Sequence, residues 1–315
     1  MKSKKTLGLA AVVLTTIIWG GGFLGIQIAL RAGMSSGVMV TIRFGLAAIL
    51  AGIVFRKKLR GMTGRDLKNG AIAGVVMILA FYSQTLGGAY TTAANNGFIT
   101  QLDAVVVPFV AWMLTGRRPR WNTIPAALLC VAGVFALTYW NAGASFSRGD
   151  LLTLVCAVLF GVHMAFLGKA AAETPFEKLL FLQLATAFVC TLPLFFFREL
   201  PTLAATDWKA AILPVLYLGV LATFVCFLLQ TWAMKHVGSG TVAILTAAEG
   251  VWCALFSVLI GFDRFSWGLV VGGLTIVAAA TLAEWRPGMF ARKKEKEPQG
   301  ETVDESGKAL YNKDV

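Results

Sequence analysis

The sequence predicts an all-α integral membrane protein of ten transmembrane helices, arranged as two inverted-topology five-helix repeats. Three observations lead there. Hydrophobic residues make up 57% of the chain and charged ones 14%, whereas roughly a quarter of a soluble domain is charged. Uncharged apolar runs of about twenty residues, the length that crosses a bilayer, recur along the chain, and mean hydropathy is +0.73. Finally, the second half of the chain repeats polar and aromatic residues of the first at fixed register.

The first run, Leu7 to Leu30, follows Lys2, Lys4 and Lys5. It is too long for the apolar core of a signal peptide and lacks a small-x-small cleavage site, so it is read as a retained span. Cutting at charged or turn-rich breaks gives spans 7–29, 36–55, 69–89, 95–114 and 121–140, then 150–168, 178–197, 210–229, 240–260 and 266–284. Residues 7–140 form the first repeat and 150–284 the second, with short connections that leave little material for a soluble domain. The tail, 285–315, is polar and mixed in charge, and is expected to be disordered on the cytoplasmic side.

Lysine and arginine placement sets the orientation. With both termini cytoplasmic, 22 of the 28 basic residues fall in cytoplasmic segments and 5 in outside loops, with Arg43 inside a span. The net charge of +12 therefore records topology in a cell membrane. Nucleic-acid binding would need basic and aromatic residues together on a soluble surface, and the sequence has none. The five cysteines all lie in apolar runs without a partner at metal-ligand spacing, and read as small apolar residues. No cofactor or metal is expected. The partners expected are the lipid bilayer and a small-molecule substrate, for a monomer or homodimer.

The repeat is read by sliding the chain on itself. An offset of 146 pairs Phe81 with Phe227, Gln84 with Gln230, Thr85 with Thr231, Thr100 with Thr246 and Asp103 with Glu249. The same offset pairs Trp121 with Trp267, Leu128 with Leu274 and Ala132 with Ala278, and near the N-terminus an offset of about 141 pairs Trp19-Gly20 with Phe160-Gly161. Five spans per half is an odd number, so the second half enters the membrane upside down. Inverted repeats with a site at their interface are a transporter architecture.

The stretches IIWGGGFLGIQIAL, TIRFGLAAIL and AYTTAANNGFITQLDAVVVPFVAWMLTGRRP in the first half, with AVLFGVHMAFLGK and TWAMKHVGSGTVAILTAAEGVWCALFSVLIGFDR in the second, resemble the EamA-type transporters of the drug/metabolite transporter superfamily. The resemblance covers residues 7 to 284. It implies ten helices in two inverted repeats, a central cavity, and small organic solutes, often exported metabolites or amino acids. The chain departs from the family pattern at Gly250, where a proline is common, and at Asp103, where an aromatic or apolar residue is usual. Glu249 fits the family pattern.

Asp103 and Glu249 lie about nine residues into their spans, near the bilayer midplane. A charge there costs at least about 2.5–3.5 kcal/mol on insertion scales, so it faces a cavity or a partner. Asn96, Thr100 and Asp103 share one helix face, as do Thr246 and Glu249. The acids are expected to line the cavity; the alternative has Glu249 anchoring helix packing and Asp103 neutralised by Arg43. Arg43 is read as a counter-ion, packing residue or carboxylate clamp. Gln84 and Gln230 are solute ligands or inter-helix hydrogen bonders, and His163 is a candidate proton shuttle. Trp19, Phe98, Tyr82 and Trp252 are candidate walls for an aromatic or cationic solute.

The function expected is secondary-active transport, since no phosphate-binding loop for ATP hydrolysis is present. Carboxyl groups removed from water hold protons more readily, so proton-coupled antiport exporting a cationic metabolite, amine or drug fits the two acids. An uptake carrier is the alternative. The acids lie in LD and AE contexts, unlike those of intramembrane aspartyl proteases, and no nucleophile elbow or HExxH is present, which argues against an enzyme.

Overall fold

The computed structural model describes residues 2–116, 118, 121–139, 146–237, 242, 245, 246 and 248–285, and among them all regular structure is helical. The helices are α1 (Lys2–Arg31), α2 (Ser36–Phe55), α3 (Gly64–Gly88), α4 (Ala93–Thr100), α5 (Asp103–Thr115), α6 (Thr123–Tyr139), α7 (Arg148–Glu173), α8 (Phe176–Leu194), α9 (Trp208–Leu216), α10 (Cys226–Val237), α11 (Glu249–Leu259) and α12 (Trp267–Glu284). A π-helical segment, Phe195–Glu199, and a 3-10 turn, Leu200–Ala205, follow α8, and a second π-helical segment, Tyr217–Val225, joins α9 to α10.

Among the described residues, seven stretches are long and apolar enough to cross a membrane: Lys4–Arg31, Ser36–Phe55, Gly64–Gly88, Ala93–Leu114, Arg148–Ala171, Phe176–Ala205 and Trp208–Ala233. They match expected spans one to four and six to eight. The other three appear as shorter apolar helices, Ile124–Gly133, Glu249–Leu259 and Trp267–Ala279. At about 1.5 Å per residue the 11 residues of α11 cover only about half of a 30 Å hydrocarbon core. Most of residues 238–247, which would complete that span, lie outside the described residues, as does the expected tail beyond Trp285.

Helix ends follow local chemistry rather than the charge breaks that delimited the spans. Thr63 and Asp66 form a capping box that starts α3 at Gly64, and Ser147 and Asp150 form another that starts α7 at Arg148. Both acids belong to the helix as acceptors for otherwise orphaned backbone N–H groups, so α3 begins five residues before the expected 69. Span four is interrupted. Gln101 N bonds to Phe98 O and Leu102 N to Ile99 O, each at 3.1 Å, a three-residue tightening that separates α4 from α5. Thr100 Oγ1 donates to Asn96 O at 2.7 Å, and such back-bonding bends helices. In span eight, Pro214 removes one ladder donor, and Thr223 Oγ1 bonds five residues back to Leu218 O at 2.7 Å within the wider π winding.

The two halves interlock. α1 packs on α10 and α11, while α7, the first helix of the second half, packs on α3 and α5. α2 meets α8, and α6 meets α12. Each helix of one half thus contacts the other half as its repeat counterpart does. Phe44, Met77, Phe81, Leu184 and Phe227 form the largest buried cluster at this junction. Large apolar side chains cover the outside, including Ile53, Leu128, Phe197 and Leu274, an arrangement suited to lipid rather than water.

Polar contacts gather the loops at two ends. At one, Lys58 pairs with Glu177 at 2.5 Å, Lys178 with Asp66 at 3.2 Å, and Asn69 bonds to Thr174 at 3.0 Å. At the other, Asp207 N donates to Ala32 O at 2.8 Å, Thr91 Oγ1 to Asp150 at 2.5 Å and Ala94 N to Asp263 at 3.0 Å, and Arg31 lies over the Phe262 ring.

Candidate functional site

Where the halves meet they line a partly open cavity whose walls come from α1, α2, α3, α4, α5, α7, α10, α11 and the segment between α9 and α10. The centres of water molecules have about 70 Å³ to occupy in it, room for about five waters. Nine of the ten residues selected from sequence line it: Trp19, Arg43, Gln84, Thr100, Asp103, His163, Gln230, Thr246 and Glu249. Asn96 does not. It is buried behind the wall, donating to Gln84 O at 3.0 Å and accepting from Thr153 Oγ1 at 3.2 Å, so it ties α3, α4 and α7 together.

The two acids occupy equivalent local structures. Asp103 is the first residue of α5 and Glu249 the first of α11, each following a tight turn. The backbone donors beside the acids are taken up by these turns, Ala104 N by Gln101 O at 3.2 Å and Val105 N by Leu102 O at 3.1 Å in one half, and Trp252 N by Ala248 O at 3.1 Å in the other. The helix that each acid opens is closely approached by a glycine from the other half. A methyl on Gly20 would meet Glu249 O at 3.0 Å and Trp252 Cβ at 2.6 Å. A methyl on Gly161 would meet Asp103 O at 3.2 Å and Val106 Cβ at 2.5 Å. Gly20 and Gly161 are repeat partners, as are Trp252 and Val106 at the offset of 146. The same close approach is therefore built twice.

The cavity walls follow the repeat. Trp19 and Phe160, Gly22 and His163, Phe23 and Met164, Phe81 and Phe227, Gln84 and Gln230, Thr100 and Thr246, and Asp103 and Glu249 are all lining residues. Ile26, Arg43, Gln101 and Ala222 complete the walls without a lining counterpart among the described residues.

Polar partners divide the wall into held and open groups. Glu249 Oε1 accepts from Gln101 Nε2 at 2.5 Å, and Gln84 Nε2 donates to Thr100 Oγ1 at 3.3 Å. Arg43 Nε donates to Thr223 Oγ1 at 2.5 Å, and its guanidinium lies 4.2 Å from the centre of the Phe81 ring. No ion pair joins Arg43 to Asp103 or to another acid among the described residues; a hydroxyl and an aromatic face take the place of the expected counter-charge. His163 Nε2 is 3.0 Å from Gln183 Oε1, while His163 Nδ1 and Gln230 Oε1 are buried without a hydrogen-bond partner.

The aromatic wall differs from the expected one. Phe81 meets Phe160 edge-on at 4.8 Å, and Phe227 sits between Trp19 at 5.7 Å and His163 at 6.3 Å. Trp19 Nε1 is fixed by Ala222 O at 2.7 Å. Phe98, Tyr82 and Trp252 do not line the cavity. Phe98 packs on the open faces of Gly250 and Gly273, Trp252 stacks on Phe256, and Tyr82 is half-buried against the main core cluster. Gly250 thus permits a close α4–α11 contact where the family pattern has proline. Four of the five cysteines are buried, as expected, while Cys190 is exposed.

The sequence profile of the EamA-like transporter family matches twice, over residues 6–139 and 147–284. An uncharacterized transporter of Archaeoglobus fulgidus is 32% identical over 280 residues, covering 89% of this chain and 85% of its own. The biotin transporter of Escherichia coli K12 is 24% identical over 283 residues, covering 86% of this chain and 91% of its own. One crystal structure superposes with a TM-score of 0.63 at 20% identity, over 90% of this chain and 96% of that one, a likeness of fold. A profile matched once by each half, with a full-length relative at this identity, settles membership: the chain belongs to the EamA-like transporter family.

Proposed function

We propose that the protein is a secondary-active carrier that exports a small organic solute bearing a basic amine, in exchange for protons that compete for Asp103 and Glu249. The observation that carries this reading is the pair of acids, each opening a helix on the wall of one cavity, at equivalent positions of the two repeats. An intramembrane carboxyl facing a cavity is suited to alternate between proton and organic cation. The edge-on phenylalanines beside it suit the apolar body of such a solute.

The exchanged packing of the two halves supports ten spans in two inverted repeats, and alternating access by rocking one repeat on the other. Flux in proteoliposomes tests the coupling. An outward-to-inward proton gradient accelerates amine efflux, whereas equal rates with and without the gradient would overturn the antiport.

A second reading has its own support. The relative named a biotin transporter handles a solute with a carboxylate, and Arg43 lines the cavity without an acid partner among the described residues. This favours a carboxylate-bearing metabolite held by Arg43, with uptake as the alternative direction. Binding of an organic acid that is lost in Arg43→Leu and kept in Asp103→Asn would decide for it.

A further inference from the structure

Two side-chain atoms on residues of the cavity wall are fully buried and lack a hydrogen-bond partner. Gln183 presents Oε1 to His163 Nε2 at 3.0 Å. With the amide oxygen of Gln183 as its acceptor, Nε2 is the protonated nitrogen of a neutral imidazole, and in that tautomer Nδ1 is an acceptor. Nδ1 is buried with no partner, and so is Gln230 Oε1; the residues themselves are 1% and 3% exposed. Both residues line the cavity that Asp103 and Glu249 also line. Two buried acceptors without donors represent unspent hydrogen-bonding capacity, and both belong to side chains of the cavity wall.

From this we infer that His163 Nδ1 and Gln230 Oε1 are substrate contacts that accept N–H groups, so the carrier selects primary amines or related multi-donor cations over tertiary and quaternary ones. The inference rests on the amine reading above and sharpens it. Charge at Asp103 and Glu249 attracts any organic cation, but only a cation with several N–H groups also satisfies the two neutral acceptors. Removing N–H groups leaves those acceptors buried and unpaired, which is the physical basis on which sites discriminate strongly. The repeat sharpens the point, because His163 stands where the first half has Gly22. The second half thus places a hydrogen-bonding group where the first half has none.

Isothermal titration of the purified full-length protein with benzylamine, N,N-dimethylbenzylamine and benzyltrimethylammonium tests this. The wild type is expected to bind benzylamine at least tenfold more tightly than benzyltrimethylammonium. His163→Leu and Gln230→Met are each expected to lower benzylamine affinity about tenfold while shifting the quaternary ligand less than twofold. His163→Asn, which keeps an acceptor near the Nδ1 position, is expected to retain the preference. Size-exclusion profiles establish that each variant is folded, and Gln230→Met supplies the reading if His163→Leu is not. Equal binding of all three ligands by the wild type, or an undiminished preference in both variants, overturns the inference and leaves the amine reading standing. Absence of binding by the whole series removes both.

Discussion

Asp103 and Glu249 are related by the repeat but are not equally free. Glu249 is held by Gln101 at 2.5 Å, whereas the side chain of Asp103 stands partly exposed to the cavity. Asp103→Asn is therefore expected to reduce gradient-driven flux at least tenfold with little loss of stability. Glu249→Gln is expected to reduce flux and also to lower the melting temperature, because the Gln101 contact loses its ionic partner. Because protons compete with the amine in the proposed exchange, amine affinity should weaken as pH falls in the wild type. That dependence should flatten in Asp103→Asn; an unchanged pH profile would exclude Asp103 as the competing group. A third expectation concerns Arg43. Thr223→Val removes the only hydroxyl that accepts from its Nε, leaving a buried donor unsatisfied at a cost of about 1–3 kcal/mol. Added to Arg43→Leu the same change should cost much less, a non-additivity that a double-mutant cycle in thermal unfolding measures. The acids, threonines and glutamines of the wall were legible because polar residues stand out in apolar runs. Gln101 was not singled out, since nothing in its sequence neighbourhood marks it as the partner of an acid 148 positions away. Nor could Phe81, Phe160 and Phe227 be separated as a wall from the 22 phenylalanines of the chain.

At the scale of helices, the features that place the site are the two turns ahead of the acids and the two glycines packed behind them. Gly20→Ala and Gly161→Ala would each force a methyl into a contact of 2.5–2.6 Å with a neighbouring Cβ. Each is expected to destabilise the protein by about 1–3 kcal/mol through overpacking, read as an earlier thermal transition. Gly168→Ala, with nothing within 4 Å of the added methyl, should be neutral or slightly stabilising and serves as the control from the same helix. Equal effects of Gly161→Ala and Gly168→Ala would show that helix propensity, not the close approach, governs these positions. The spans themselves were legible from apolar length. Their ends were displaced because Asp66 and Asp150, which look like charge breaks, act as capping partners within the first turn. The interruption at Gln101 and the π winding at Tyr217–Val225 were not legible. Both depend on hydroxyls bonding back to the helix, at Thr100 and Thr223, and any threonine in an apolar run offers the same pattern without always using it.

For the whole molecule, the repeat pointed Asp103 and Glu249 at one central space, and both line the cavity. The exchange of helices behind it was not legible: first helices embrace the third and fourth spans of the opposite half, second meets second, and fifth meets fifth, whereas an offset of 146 marks equivalent residues and not residues in contact. Arg43 and His163 could not be placed this way, since they stand where the repeat is broken. The span count is where topology is decided. Between the Arg60 loop and the Arg264 loop lie five membrane-long stretches and the short helices α6 and α11. If both short helices belong to complete spans, the two loops lie on opposite sides of the membrane. Single cysteines at these exposed positions, introduced after Cys190→Ser removes the one exposed native thiol, give a direct reading. In intact cells an impermeant maleimide is expected to label the cysteine at 264 and to spare the one at 60 until the membrane is opened, as the basic-residue bias requires. The reverse pattern would invert the molecule while keeping the repeats inverted. Labelling of both from the same side would make the number of intervening spans even, and that result would remove the inverted five-helix arrangement on which alternating access depends.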